Sequence, residues 1–182
     1  MEFVQDFKWK KGITVKEMGE KFARTGFQAT EIGRATEIIT KMKREKAKIY
    51  FTFTSNMVTS GLRGFFAQII RLGLAQVIVT TVGGIEEDMM KALGERFVLG
   101  SFYSDDLELY EKGLNRVGNI MIPNKSYEKF EDSIGQILAK VYEKKKRISS
   151  VELLREIGLV LKDEDSILFQ AAKKKVPLFC PA

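Results

Sequence analysis

Val77-Ile78-Val79 is a short, unbroken apolar run between two helical patterns, and it constrains the fold more than any other segment. A strand with one wet face alternates apolar and polar residues, whereas an unbroken run suits a parallel strand covered by helices on both faces. Ile49-Tyr50-Phe51-Thr52-Phe53 is a second β-rich stretch, and Leu62, Phe65, Phe66, Ile69 and Ile70 repeat at helical spacing between the two. Repeated strand–helix alternation predicts a doubly wound α/β fold with a mainly parallel sheet and right-handed crossovers. The spacing predicts a short helix over 85–93, then strands near 97–102 and 119–122. After Pro123, Tyr127, Phe130, Ile134, Ile137, Leu138 and Val141 mark one face of a longer helix. Ser149-Ser150-Val151-Glu152 caps another, a last helix starts near Asp165, and 176–179 forms a final strand.

Residues 1–46 follow a different pattern and read as a helical arm, leaving 47–182 for the α/β domain. Thr14-Val15-Lys16-Glu17 is a capping box with Ile13 and Met18 set for a hydrophobic staple. A second helix follows Ala29, with Ile32, Ala35, Ile38, Ile39 and Met42 on one face, after a turn-like break at Thr25-Gly26-Phe27-Gln28-Ala29-Thr30.

A chain of 182 residues holds one domain with a real core rather than two. The single cysteine, Cys180, excludes an internal disulfide framework and points to a reducing compartment. No apolar run of about 20 residues suggests a membrane span. Met1-Glu2-Phe3-Val4-Gln5-Asp6 lacks the layout of a secretory leader, so a cytoplasmic location is expected. The net charge is +6, and the basic runs Lys43-Arg44, Lys144-Lys145-Lys146-Arg147 and Lys173-Lys174-Lys175 fall at helix ends, where they complement the dipole. Without interleaved aromatic residues they do not suggest nucleic-acid binding. The absence of histidine removes the commonest neutral-pH acid/base and metal ligand, and no metal site is expected.

Two strand-to-helix junctions hold the candidate chemistry: Thr54-Ser55-Asn56-Met57-Val58-Thr59-Ser60-Gly61 and Thr80-Thr81-Val82-Gly83-Gly84-Ile85-Glu86-Glu87-Asp88. Such junctions form the nucleotide crevice of open α/β sheets, because backbone N–H groups at a helix start can hold phosphate. Neither carries the Gly-x-Gly-x-x-Gly signature. Ser55, Asn56, Thr59 and Ser60 can hold ribose or phosphate oxygens, or can cap the next helix. Gly83-Gly84 permits close approach of a ligand or only a tight turn. Glu86, Glu87 and Asp88 lie in a helix first turn, either compensating the dipole or forming a cation site suited to a polyamine.

These loops, together with Thr25–Thr30 written above, Asn115-Arg116-Val117-Gly118-Asn119, Pro123-Asn124 and Lys129-Phe130-Glu131-Asp132, resemble deoxyhypusine synthase in sequence and order. The resemblance covers the whole chain but only the N-terminal half of the family's usual polypeptide. It implies a Rossmann-like fold and a homotetramer with sites between subunits. The implied reaction is NAD-dependent transfer of the aminobutyl group of spermidine to a lysine of the translation factor 5A precursor, through a covalent imine on an enzyme lysine. On this resemblance the NAD contacts fall on Ser55, Asn56, Met57, Val58, Thr59, Thr81, Val82, Gly83 and Glu87. The acidic pair that meets the polyamine falls on Glu86 and Glu87. Val82 stands where the family usually has alanine, and Thr59 where serine is common.

The family's nucleophilic lysine, in a Trp-Gly-Lys context, lies in the half that this chain does not match. Trp9 precedes Lys10 directly and in the wrong region, and the lysines here read as exposed and clustered. No catalytic residue is therefore expected within the chain. With the chain stopping just past a strand, the sheet is expected to be completed by a complementary C-terminal segment, with an edge strand as the alternative. Three functions follow: an N-terminal part active only with that complement, a non-catalytic NAD-binding or assembly partner, or a homospermidine synthase-like enzyme with a small-amine acceptor.

Overall fold

The computed structural model describes residues 3–181. It divides into two compact units that meet at the Lys48–Ile49 boundary. In the first, α1 (Val15–Phe22) opens with the expected capping box, the Thr14 hydroxyl accepting from Glu17 N while Glu17 accepts from Thr14 N. The Lys10 ammonium and the Thr14 donors hold the Glu17 carboxyl down at about 2. Helix α2 (Gln28–Arg44) touches α1 at Gly33, where a Cβ would stand 2.3 Å from Ala23 Cα. Ile32, Ile38 and Ile39, the apolar face read from the sequence, are exposed.

The second unit carries the parallel sheet. Its strands are β1 (Tyr50–Thr52), β2 (Val77–Val79) and β6 (Leu178–Phe179), with β2 in the centre and Ile78 fully buried. The unbroken apolar run thus occupies the position that demands it. Between β1 and β2 lie α3 (Ser55–Met57), a widened π-type turn (Val58–Leu62) and α4 (Arg63–Arg71). After β2 comes α5 (Val82–Ala92), and α9 (Ile167–Lys174) leads into β6. Phe53, Phe66, Ile70, Ile78, Met89 and Leu168 share one core, to which α7 (Asn124–Lys144) and α8 (Ser150–Leu161) add Ile137, Val141 and Ile157. Helices α8 and α9 pack backbone to backbone at Gly158, where a Cβ would lie 2.3 Å from the Leu168 carbonyl oxygen.

A second sheet departs from the expected alternation. Strands β3 (Val98–Leu99), β4 (Leu114–Val117) and β5 (Ile120–Pro123) pair antiparallel in the order β3-β5-β4. The sequence reading misses β4, because Leu-Asn-Arg-Val shows no apolar period. Its signal was the two-residue Gly118-Asn119 turn with Gly118 at φ 64°, which closes a hairpin on Val117 and Ile120. Arg116 on β4 grips Asp106 of α6 (Asp106–Glu111) with two hydrogen bonds of 2.7 and 2.9 Å.

One buried carboxylate ties α4, α5 and α9 together. Asp88 Oδ1 accepts from Arg63 Nε at 2.6 Å and Ile167 N at 3.1 Å. Its Oδ2 accepts from Ser166 Oγ and Leu168 N, both at 2.8 Å. Burial pushes its pKa up, but four donors and a helix N-terminus hold it as the carboxylate. Arg63 spans onward to Asp163 at 2.5 Å. Asp88→Ala is expected to lower the unfolding free energy by about 3–5 kcal/mol, since it removes one of the two carboxylates that pair the buried Arg63 and leaves the α9 amides without their acceptor; denaturant titration followed by circular dichroism measures this.

Candidate functional site

Parallel strands β1 and β2 deliver the two loops side by side at their carboxyl ends. Ser55 N donates to Thr81 Oγ1 at 3.2 Å, bonding one loop to the other. A Cβ on Gly83 would stand 3.0 Å from Ser55 Cβ, and one on Gly84 only 2.7 Å from Thr80 Oγ1. Both glycines therefore permit the start of α5 to lie against the first loop. They sit inside α5, which begins at Val82 and not at 85 as the spacing suggested, so the tight-turn reading does not hold.

Along the first loop the predicted residues separate by role. Asn56 and Met57 are exposed and Ser55 is half-buried, whereas Val58 is wholly buried in the core. The Val58 side chain is thus part of the core, and its carbonyl accepts from Lys91 Nζ at 2.7 Å. Thr59 is buried, and Ser60 Oγ bonds back to Met57 O at 2.9 Å. No side chain of this loop caps α3 or α4, so the capping alternative is not realised. In the second loop Thr81 and Gly83 are half-buried and Val82 is exposed.

The three acids of α5 also part company. Because α5 starts at Val82, they occupy its second turn, where the dipole is weaker than at the first. Asp88 turns inward to Arg63 and is structural, which removes it from any cation site. Glu87 is buried, and its Oε2 accepts from Thr59 Oγ1 at 2.6 Å. Burial pushes Glu87 above the usual carboxylate range, opposed by the Thr59 hydroxyl and the Lys91 cation. Glu86 is raised by burial and by the nearby Glu131 charge. Tyr127 on α7 is raised by burial and by both glutamates, so it faces the pair.

Thr59 has one hydroxyl proton and two acceptors, Glu87 Oε2 and Ser55 O at 3.1 Å. An ionised Glu87 takes that proton through the shorter, charge-assisted bond. A protonated Glu87 donates instead, and Thr59 then turns its proton to Ser55 O. The charge state of the acid is thereby linked to the first loop.

Sequence reasoning missed Lys91, Tyr127 and Glu131 as neighbours of this pair. Lys91 is half-buried, not one of the exposed clustered lysines, and burial lowers its pKa. Its ammonium donates to Val58 O and Thr59 O, so it is held as a cation by two carbonyls rather than presented as a free amine. The i,i+4 spacing from Glu87 was the available signal. Among the described residues no group of three His, Cys, Asp or Glu is placed to hold a metal ion, and no helix is long and apolar enough to cross a membrane.

The open parallel sheet of this α/β protein carries polar loops, an uncapped helix start and a buried acid at the carboxyl ends of its strands, the end at which open α/β sheets bind ligands. The family model for deoxyhypusine synthase matches residues 17–182. A "Probable deoxyhypusine synthase" of Thermococcus onnurineus is 40% identical over 183 residues, covering 92% of this chain and 54% of that protein. One of Schizosaccharomyces pombe is 38% identical, covering 94% of this chain and 53% of its own length. A crystal structure described as that of "a putative deoxyhypusine synthase from Entamoeba histolytica" superposes with a TM-score of 0.70 at 27% identity, covering 98% of this chain and 64% of that one. The chain belongs to the deoxyhypusine synthase family, and its α/β fold is incomplete relative to that family. It spans about half the length of the curated relatives it matches.

Because the fold raises the Glu87 pKa, its ionised form disfavours folding: the contribution of this group to stability is fully present below the usual value of 4.5 and is lost as pH rises through the folded midpoint. Glu87→Gln is therefore expected to match or exceed the parent's thermal midpoint at pH 7. The gap between the two should close as acid protonates Glu87, which melting curves across pH 4–8 test.

Proposed function

We propose that this chain is the cofactor-side part of an NAD-dependent aminobutyl transferase acting on spermidine, with a lysine of the translation factor 5A precursor as acceptor. In this reading residues 1–46 are a helical arm, and 47–182 form the N-terminal part of the NAD-binding domain. The observation that carries the proposal is Glu87: a buried carboxylate, raised in pKa, beside Glu86 and opening on the loops. A buried acid of this kind is costly unless a cation meets it. Spermidine supplies ammonium groups at a spacing that two adjacent carboxylates can share.

The residues present suit NAD. The start of α5 has no side-chain cap, since the Thr81 hydroxyl receives Ser55 N instead. Thr80 Oγ1 is one of two buried side-chain polar atoms without a hydrogen-bond partner among the described residues. Uncapped N–H groups at a helix start suit phosphate. Ser55, Asn56, Thr81 and Gly83 line that approach, Met57 and Val82 offer apolar surface, and Val58 and Thr59 support the loop from beneath, their carbonyls held by Lys91. NAD would accept a hydride from the amine substrate. The chain's own part is to hold the amine by Glu86 and Glu87, with the Thr59 hydroxyl turning its hydrogen bond between Glu87 and Ser55 O as the acid changes charge.

The nucleophilic lysine falls to a complementary C-terminal segment, and the implied tetramer would bring such parts together. The experiment mixes the chain with a polypeptide carrying the matching C-terminal half of a family member, then adds NAD and spermidine. Spermidine-dependent NADH fluorescence is expected. Spermidine binding should release protons in the pH range above 4.5 where the raised glutamates are still partly protonated, because the cation favours their ionised form, and calorimetry in two buffers reads this. Glu87→Gln should weaken spermidine binding about tenfold, the scale of one lost charge-assisted contact. NAD binding or co-assembly without hydride transfer would identify a non-catalytic partner. Transfer to putrescine, but not to the protein lysine, would place the chain with the homospermidine synthase-like enzymes.

A further inference from the structure

Lys91 lies one helical turn beyond Glu87 on α5, and its ammonium serves backbone rather than a carboxylate. Nζ donates to Val58 O at 2.7 Å and to Thr59 O at 3.2 Å, and stands 4.7 Å from the Phe97 ring centroid. Both carbonyls belong to the widened turn at Val58–Leu62, which contains Gly61 at φ 93°, outside helical space. π-Type turns are rare and recur at functional sites. The turn's own sequence, with two β-branched residues and a glycine, does not favour it. Two charge-assisted bonds from α5 supply an anchor from outside the turn.

The anchor has a consequence for Glu87. Thr59 bonds to Lys91 through its carbonyl and to Glu87 through its hydroxyl. Its backbone and its side chain are thus both gripped from the same helix, four residues apart. We propose that Lys91 is a positioning residue: its ammonium clamps the Val58 and Thr59 carbonyls and so seats the Thr59 hydroxyl on the Glu87 carboxylate. That this carboxylate receives the substrate cation rests on the function proposed above; the clamp itself does not.

The test uses the whole 182-residue chain without ligands, by amide hydrogen exchange and carboxyl NMR titration. Lys91→Met removes the ammonium at similar length. Amides of residues 59–62 should exchange about tenfold faster, the scale of one lost charge-assisted bond, with protection in β2 and α9 unchanged. The Glu87 midpoint should rise, because it loses a nearby cation and a well-seated hydroxyl donor. Glu86 and Tyr127 beside Glu87, Glu131 beside Glu86, and Arg63 and Asp88 near Lys91 all remain, so the shift is read between variants. Lys91→Arg keeps the charge and donors and should restore slow exchange. An unchanged Glu87 midpoint with slow exchange in Lys91→Met overturns the proposal. Uniform loss of protection in both variants also overturns it, marking Lys91 as core support. Neither readout involves NAD or spermidine, so failure of the clamp and failure of the proposed chemistry are told apart.

Discussion

Asp88 is wholly buried, and its two oxygens join three helices: Arg63 at the start of α4, its own α5, and the first amides of α9. A lone carboxylate there would cost several kcal/mol, roughly, in an apolar core. Each of its lone pairs instead meets a donor, and Arg63 carries the compensation on to Asp163. α9 in turn delivers β6 to the sheet and packs on α8 through Gly158. α5 is anchored to α4 and α9 at this one residue, while Thr81, Glu87 and Lys91 hold the first loop against it.

Adjacent residues on a helix point about 100° apart, which is the 3.6-residue turn expressed as an angle. Asp88 can therefore be locked inward while Glu87 opens toward the first loop. The two acids are chemically alike, and surroundings separate them: four donors for one, a single threonine hydroxyl and a nearby lysine for the other. A buried carboxylate paired with arginine and a buried carboxylate with one hydroxyl donor thus sit side by side. The first supplies the rigidity that the second needs to hold its place.

Much of this was legible along the chain. The apolar run at Val77–Val79 marked the central parallel strand, Thr14 and Ser149 marked helix starts, and both loops were found where strands hand over to helices. Other features were not. Strand β4 was hidden because its polar residues Asn115 and Arg116 are spent on local partners, Asn124 and Asp106, and leave no period to read. The start of α5 was placed three residues late, since paired glycines signal a break in sequence, whereas here they admit close packing against Ser55 and Thr80. The apolar face of α2 was correctly placed on one side, but the sequence could not say that it stays exposed.

What the sequence determined by itself is most of the elements, β4 and α6 excepted, and the family, because periodicity, caps and ordered motifs are local or linear properties. Only the tertiary structure decided which of three consecutive acids is structural and which faces the loops. It also decided that Lys91 serves carbonyls 32 and 33 residues away. Such roles depend on desolvation and on partners distant in the chain, and a carboxylate or an ammonium carries no mark of either until the helices have packed.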